Sequence, residues 1–281
     1  MFNEAFLEYC RNHNDSSIKN LTSVIETTLK YLENKDYKSN FKISHHNFFE
    51  KLMMEDTKKA EQLFWTEIDE RTQFVRSLII IKFSLLIKQL IPAFNSMNFY
   101  AAVILTRSMF ENAAVFYKYQ WTLLINYSKW NKEGLGNLPD SIEGIRISKD
   151  LENFLIKFSH GTRNKSLIKI GKELHGKKAE NWYNDNILDY FDFWAANKDF
   201  SLVRDDYDYI SDICHPSALS NMMFQINGKE EDNFLYTKFD KDVSKSLLEF
   251  MPVIASAIIQ SCAVVNNGVE QLEKINFSSL L

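Results

Sequence analysis

Asn98-Phe-Tyr-Ala-Ala-Val-Ile-Leu-Thr-Arg107-Ser-Met-Phe-Glu111-Asn-Ala-Ala-Val-Phe-Tyr-Lys-Tyr-Gln-Trp121 is an apolar run without glycine or proline, interrupted by one arginine and one glutamate four residues apart. Its length and its alanine, leucine and aromatic content fit a long buried helix rather than a strand. The rest of the chain has the same character. Eight glycines and four prolines among 281 residues fall well below the usual roughly 7% and 5%, so few turns are marked and long helices are favoured. With 45% hydrophobic and 14% aromatic residues, the chain can bury a sizeable core. The expected fold class is all-α, a helical bundle.

Upstream of this stretch, Phe2 to Arg11 forms a short amphipathic element, and Asp15 is placed to cap a helix over Ile18 to Glu33. Ser44 can cap a further helix from His45 to about Ile68. His45 and His46 are adjacent on it, so they point some 100° apart and make a poor ligand pair. Arg71 to Leu90 continues as helix until Pro92 ends or bends it. Downstream, Gly134, Gly136 and Pro139 mark the clearest break. Helices are expected over Ser148 to Phe158, Ser166 to Leu174 and Trp182 to Trp194. Val203, Tyr207, Ile210 and Cys214 then trace an apolar stripe on a helix that must stop at His215, before Pro216.

Asn227-Gly228 suggests the turn of a small β-hairpin, and a final helix is expected over Val243 to Lys274. The economical division is an N-terminal helical extension over residues 1–92 and a bundle core over 93–281, unless the two form one continuous domain.

A net charge of −4 demands neither a polyanion nor a membrane surface. Local charge is more telling. Lys157, Arg163, Lys165, Lys169, Lys172, Lys177 and Lys178 form a basic block, followed between Ala179 and Asp212 by nine acidic residues. The two blocks either pair with each other or leave Arg163, Lys165, Lys169 and Lys172 as a phosphate-binding face for nucleic acid. Cys10, Cys214 and Cys262 are widely spaced, which argues for reduced thiols in a cytoplasmic protein. No secretory leader is read at the N-terminus. Ser77 to Ile91 and Leu247 to Val265 are strongly apolar but carry charged residues or proline, and buried core helices are expected there instead of membrane spans.

The chain has seven arginines against twenty-six lysines, so Arg107 inside an apolar helix is conspicuous. Arg107 and Glu111 share a face with Val103, Phe110 and Ala114, and partly buried charges must be paired. Arginine before glutamate is the weaker order for a local i,i+4 pair, so a third polar group from another helix is expected. His215, at a helix end beside Asp212, is the candidate. Arg107, Glu111 and His215 then form either a catalytic site, with Arg107 on an anion and His215 as general acid or base, or a structural polar network. Asp212 and His215 have the spacing of one i,i+3 ligand pair, but no second such pair supports a metal site. No P-loop, dinucleotide fingerprint, nucleophile elbow or zincin motif is present.

Arg107-Ser-Met-Phe-Glu111, followed by Tyr209-Ile-Ser-Asp-Ile-Cys-His215-Pro216, resembles a group of bacterial helical proteins with an Arg-x-x-x-Glu helix and a later Ser-x-x-x-His. That group is similar in turn to the HEPN superfamily of helical bundles. The resemblance covers roughly Asn98 to Gln225. It implies a HEPN-like core that binds or cleaves RNA without metal or cofactor, in a toxin or antiphage defence system. The partners it implies are RNA and either a second copy of the chain or another protein of the system. One departure is evident. HEPN ribonucleases carry a histidine four to six residues after an arginine, whereas Arg204 and His215 are separated by ten residues and no other arginine comes closer. The bundle and the polar centre therefore carry over more directly than the reaction. A non-catalytic helical interaction protein, with the same cluster as scaffold, is the other reading.

Overall fold

A computed structural model describes residues 1–42, 44, 46–133, 151–158, 161–162, 164–175, 185–223, 225–231, 234–239 and 244–280. The protein is all-α, with one small hairpin among the described residues. Its helices are α1 (Glu4–Asn12), α2 (Ser16–Glu33), α3 (His46–Glu55), α4 (Thr57–Asn95), α5 (Phe99–Glu133), α6 (151–158), α7 (Lys165–His175), α8 (Ile187–Ala195), α9 (Val203–Cys214), α10 (Ala218–Met223), α11 (Ser244–Leu248) and α12 (Met251–Glu273).

Local chemistry accounts for many of these boundaries. The Asp15 carboxylate accepts from the backbone N–H groups of Ser17 and Ile18 and starts α2, which buries Ile18, Leu21, Ile25, Thr28 and Leu32 at the expected spacing. α4 continues one turn beyond Pro92, which is exposed, and ends in a Schellman arrangement. There the N–H of Asn98 donates to Ala93 O and that of Met97 to Phe94 O. Met97 occupies the left-handed position at φ 54°, the place glycine usually takes. Asn98 then caps α5 through its side chain. The expected final helix is divided: α11 stops at Leu248 and α12 restarts at Met251, with Pro252 in the first turn, where its missing N–H costs nothing.

β1 (Gln225–Glu231) and β2 (Phe234–Phe239) pair antiparallel, with Glu231 opposite Phe234. The hairpin is where the sequence placed it, but its turn is not. Asn227 and Gly228 fall in a register irregularity between Ile226 and Lys229, so the permissive dipeptide serves a bulge within the strand.

The chain groups into two compact units that do not follow the expected break at residues 92 and 93. The first comprises Met1–Lys35, Ile81–Phe116 and Ile187–Asn266; the second comprises Asp36–Ile80, Tyr117–Asn186 and Asn267–Leu281. Residues 1–35 are integral to the first, where Phe6 stacks on Phe94 at 4.6 Å between ring centroids. In the second, Trp65 stacks on Phe277 at 5.8 Å, and the Asp69 carboxylate accepts from the N–H groups of Phe277 and Ser278. The proposed boundary loop at Gly134 to Asp140 lies outside the described residues.

α4 and the stretch Met251–Ser279 are long and apolar enough to cross a membrane, and 56% of the apolar window of each is buried inside the protein.

Candidate functional site

The polar centre lies in the first unit, on α5 and α9. An aromatic cluster sets the distance between these helices. Phe110 meets Phe191 and Trp194 edge-on at 5.0 and 5.3 Å, and Phe191 stacks on Tyr207 at 4.0 Å. Tyr207 is thereby held with its ring in the core and its hydroxyl at the edge, where Arg107 and Glu111 are.

Arg107 donates from Nε to Glu111 Oε1 at 2.9 Å, and the Tyr207 hydroxyl donates to the same oxygen at 3.1 Å. The Arg107 and Glu111 side chains are 22% and 32% exposed, so the pair is half-sealed and still reaches water. Burial works against the charged guanidinium, but the hydrogen bond and charge of Glu111, with a smaller contribution from Tyr207, more than offset it and keep Arg107 cationic. Burial, and then the neighbouring Glu111 charge, push the Tyr207 phenol above its ordinary range. The Cys214 thiol is also raised by burial, although Arg107 acts on it in the opposite sense. Tyr207 and Cys214 are therefore neutral groups at ordinary pH. Burial pushes Cys10 up to about 11 and Cys262 up to about 12, so both are inert thiols.

A third group does meet Arg107 and Glu111, but it is Tyr207 and not His215. His215 ends α9 in extended geometry, its backbone N–H donating to Ser211 O. Its side chain is exposed and makes no hydrogen bond or ion pair among the described residues. The physical reason is direction. Tyr207, Ile210 and Cys214 share the buried face of α9, while the chain turns outward at the residue before Pro216.

Asp212, also exposed, makes no metal set with His215. Among the described residues, no group of three or more His, Cys, Asp or Glu side chains is arranged to hold an ion.

α9 carries a second polar contact. Asp206 accepts from Ser256 Oγ at 3.0 Å and from Gln260 Nε2 at 3.1 Å, both on α12, and burial raises its carboxyl despite these donors. A raised folded-state pKa favours the protonated form, so Asp206 contributes stability fully below its unfolded-state pKa and loses it as pH rises through the folded one. Asp206→Asn is therefore expected to stabilise the protein at pH 7. Its advantage in urea melts should shrink as pH falls from 7 towards the ordinary carboxylate value, about 4. An advantage unchanged between pH 7 and pH 4 would refute this account.

The basic residues belong to the second unit. Asn164 caps α7 through Ser166 and Leu167, and Lys165, Lys169 and Lys172 follow at one-turn spacing, all exposed. Among the described residues, Lys165 and Lys169 make no ion pair, whereas Lys157 pairs with Asp185 and so links the basic block to the acidic one. Arg163 lies outside the described residues. Arg204 is neutralised within the acidic block by Asp192 and Asp208.

Comparisons with protein-family models, curated proteins and solved structures find no match to this chain.

Proposed function

We propose that the protein is a HEPN-like helical protein of a toxin or antiphage defence system that binds RNA and cleaves it at the end of α9. The observation that carries this reading is the chain order there, a residue in contact with Arg107 followed directly by a histidine. Cys214, in the last turn of α9, interacts with the Arg107 guanidinium, and the next residue is His215, exposed and with no side-chain hydrogen bond or ion pair among the described residues. A histidine as proton acceptor and an arginine for the phosphate charge are the two side-chain types that metal-independent RNA cleavage needs. The 2′-hydroxyl oxygen attacks the adjacent phosphorus and its proton passes to His215. The O5′ atom leaves, taking a proton from water, and a 2′,3′-cyclic phosphate remains. Arg107 steadies the phosphate charge; Glu111 and Tyr207 position Arg107 and do not touch substrate. Lys165, Lys169 and Lys172 supply backbone-phosphate contacts on their own unit.

One observation favours a second reading, a non-catalytic interaction protein. A single Glu111 oxygen accepts from both Arg107 and Tyr207, as expected of a network that fixes α5 against α9.

His215→Ala separates the two. Because His215 is exposed and its side chain makes no hydrogen bond among the described residues, the substitution is expected to change stability by less than about 0.5 kcal/mol in urea melts while abolishing cleavage of labelled single-stranded RNA. Wild-type protein that neither binds nor cleaves RNA would reject the first reading. Binding that survives while His215→Ala leaves cleavage intact would remove this residue from the chemistry.

A further inference from the structure

The second unit contains an arginine that makes no ion pair among the described residues. Arg71 of α4 is 7% exposed, and its Nε is sealed from solvent without a hydrogen-bond partner. No carboxylate among the described residues forms an ion pair with it. Arg76 on the same helix shows the alternative. It is 5% exposed, and its guanidinium donates to Val269 O at 3.4 Å, Asp36 O at 3.0 Å and Glu273 Oε1 at 2.6 Å.

Glu67 stands one turn before Arg71, in the order that favours a helical pair, and is itself 7% exposed. Its carboxylate is turned instead to the N–H of Ser44 at 2.6 Å. On α5, the fully buried Tyr119 lies beside Thr72 and Arg71, and burial holds its phenol protonated and able to donate.

A guanidinium cannot shed its proton at any ordinary pH, and burying it without an anion is strongly unfavourable. Its planar fork matches an oxygen pair of a carboxylate or phosphate. A residue so nearly enclosed cannot meet the backbone of a polymer, so the anion it awaits is small. We propose that Arg71, with Tyr119 beside it, forms a binding site for a small oxyanion in the second unit. This site involves none of the residues placed in the RNA reading.

The full chain, dialysed into sodium chloride, is melted after addition of inorganic phosphate or acetate at matched ionic strength. A rise in Tm of at least about 2 °C in one arm is expected, and the arm that responds identifies phosphate or carboxylate as the ligand chemistry. Arg71→Met is expected to lose that rise and, in chloride alone, to melt no lower than wild type, because it removes an unpaired charge and strands no partner. A wild-type Tm indifferent to both anions, a rise that persists in Arg71→Met, or an Arg71→Met chain less stable than wild type in chloride each overturns the proposal.

Discussion

Phe191→Ala is expected to cost about 3–5 kcal/mol of stability, the range for emptying a fully buried aromatic site. Phe191 is 0% exposed and touches three other rings: Phe110 at 5.0 Å, Trp194 at 6.2 Å and Tyr207 at 4.0 Å. The loss combines forfeited apolar burial with a cavity that the rigid neighbours Phe110 and Trp194 cannot easily fill. The consequence for the polar centre is specific. Without the stack, Tyr207 is no longer held with its hydroxyl on Glu111, so the variant should also weaken the coupling between Tyr207 and Glu111 in a double-mutant cycle. Phe191→Leu, which refills most of the volume, should recover much of the stability but less of the coupling. A loss below about 1.5 kcal/mol for Phe191→Ala would mean that this cluster is not the packed core described here.

The contrast between Tyr207 and His215 shows what periodicity conveys. The spacing of Val203, Tyr207, Ile210 and Cys214 identified the inward face of α9: Val203, Tyr207 and Ile210 are buried and Cys214 half-buried. What spacing cannot express is that an amphipathic side chain on an apolar face brings its polar atom with it. The requirement for a third group near Arg107 and Glu111 followed from burial and charge order; its identity depended on which α9 residue points inward, and Tyr207 was already in the stripe. Asp206, facing α12, was hidden among nine acidic residues whose individual environments no composition argument separates.

Caps were easier to read because they are local. Asp15 needs only the next two or three residues to show its role. Asn227-Gly228 marked a place of permissive backbone correctly and its use incorrectly, since a bulge and a turn make the same conformational demand. The two-unit grouping was not legible at all, because each unit is assembled from segments far apart in the chain.

Glu111→Ala is expected to destabilise the protein by about 2–3 kcal/mol, below the roughly 3–5 kcal/mol of a fully buried broken pair because Arg107 retains a route to water. Two losses combine. The Arg107 guanidinium is left without its carboxylate against an apolar face, and the Tyr207 hydroxyl, on a side chain with the whole residue 3% exposed, loses its acceptor. Glu111→Gln keeps an acceptor for both donors and should cost less than half as much. Tyr207→Phe removes the stranded hydroxyl, so Glu111→Ala introduced into a Tyr207→Phe background should be less damaging than in wild type. Urea melts of the four chains measure this directly. If Glu111→Ala and Tyr207→Phe are additive, the hydroxyl contributes nothing to the pair, and Arg107 and Glu111 form an ordinary half-exposed ion pair on α5. Non-additivity would show that α9 reads the charge state of α5 through Tyr207, whose hydrogen bond to Glu111 joins the two helices.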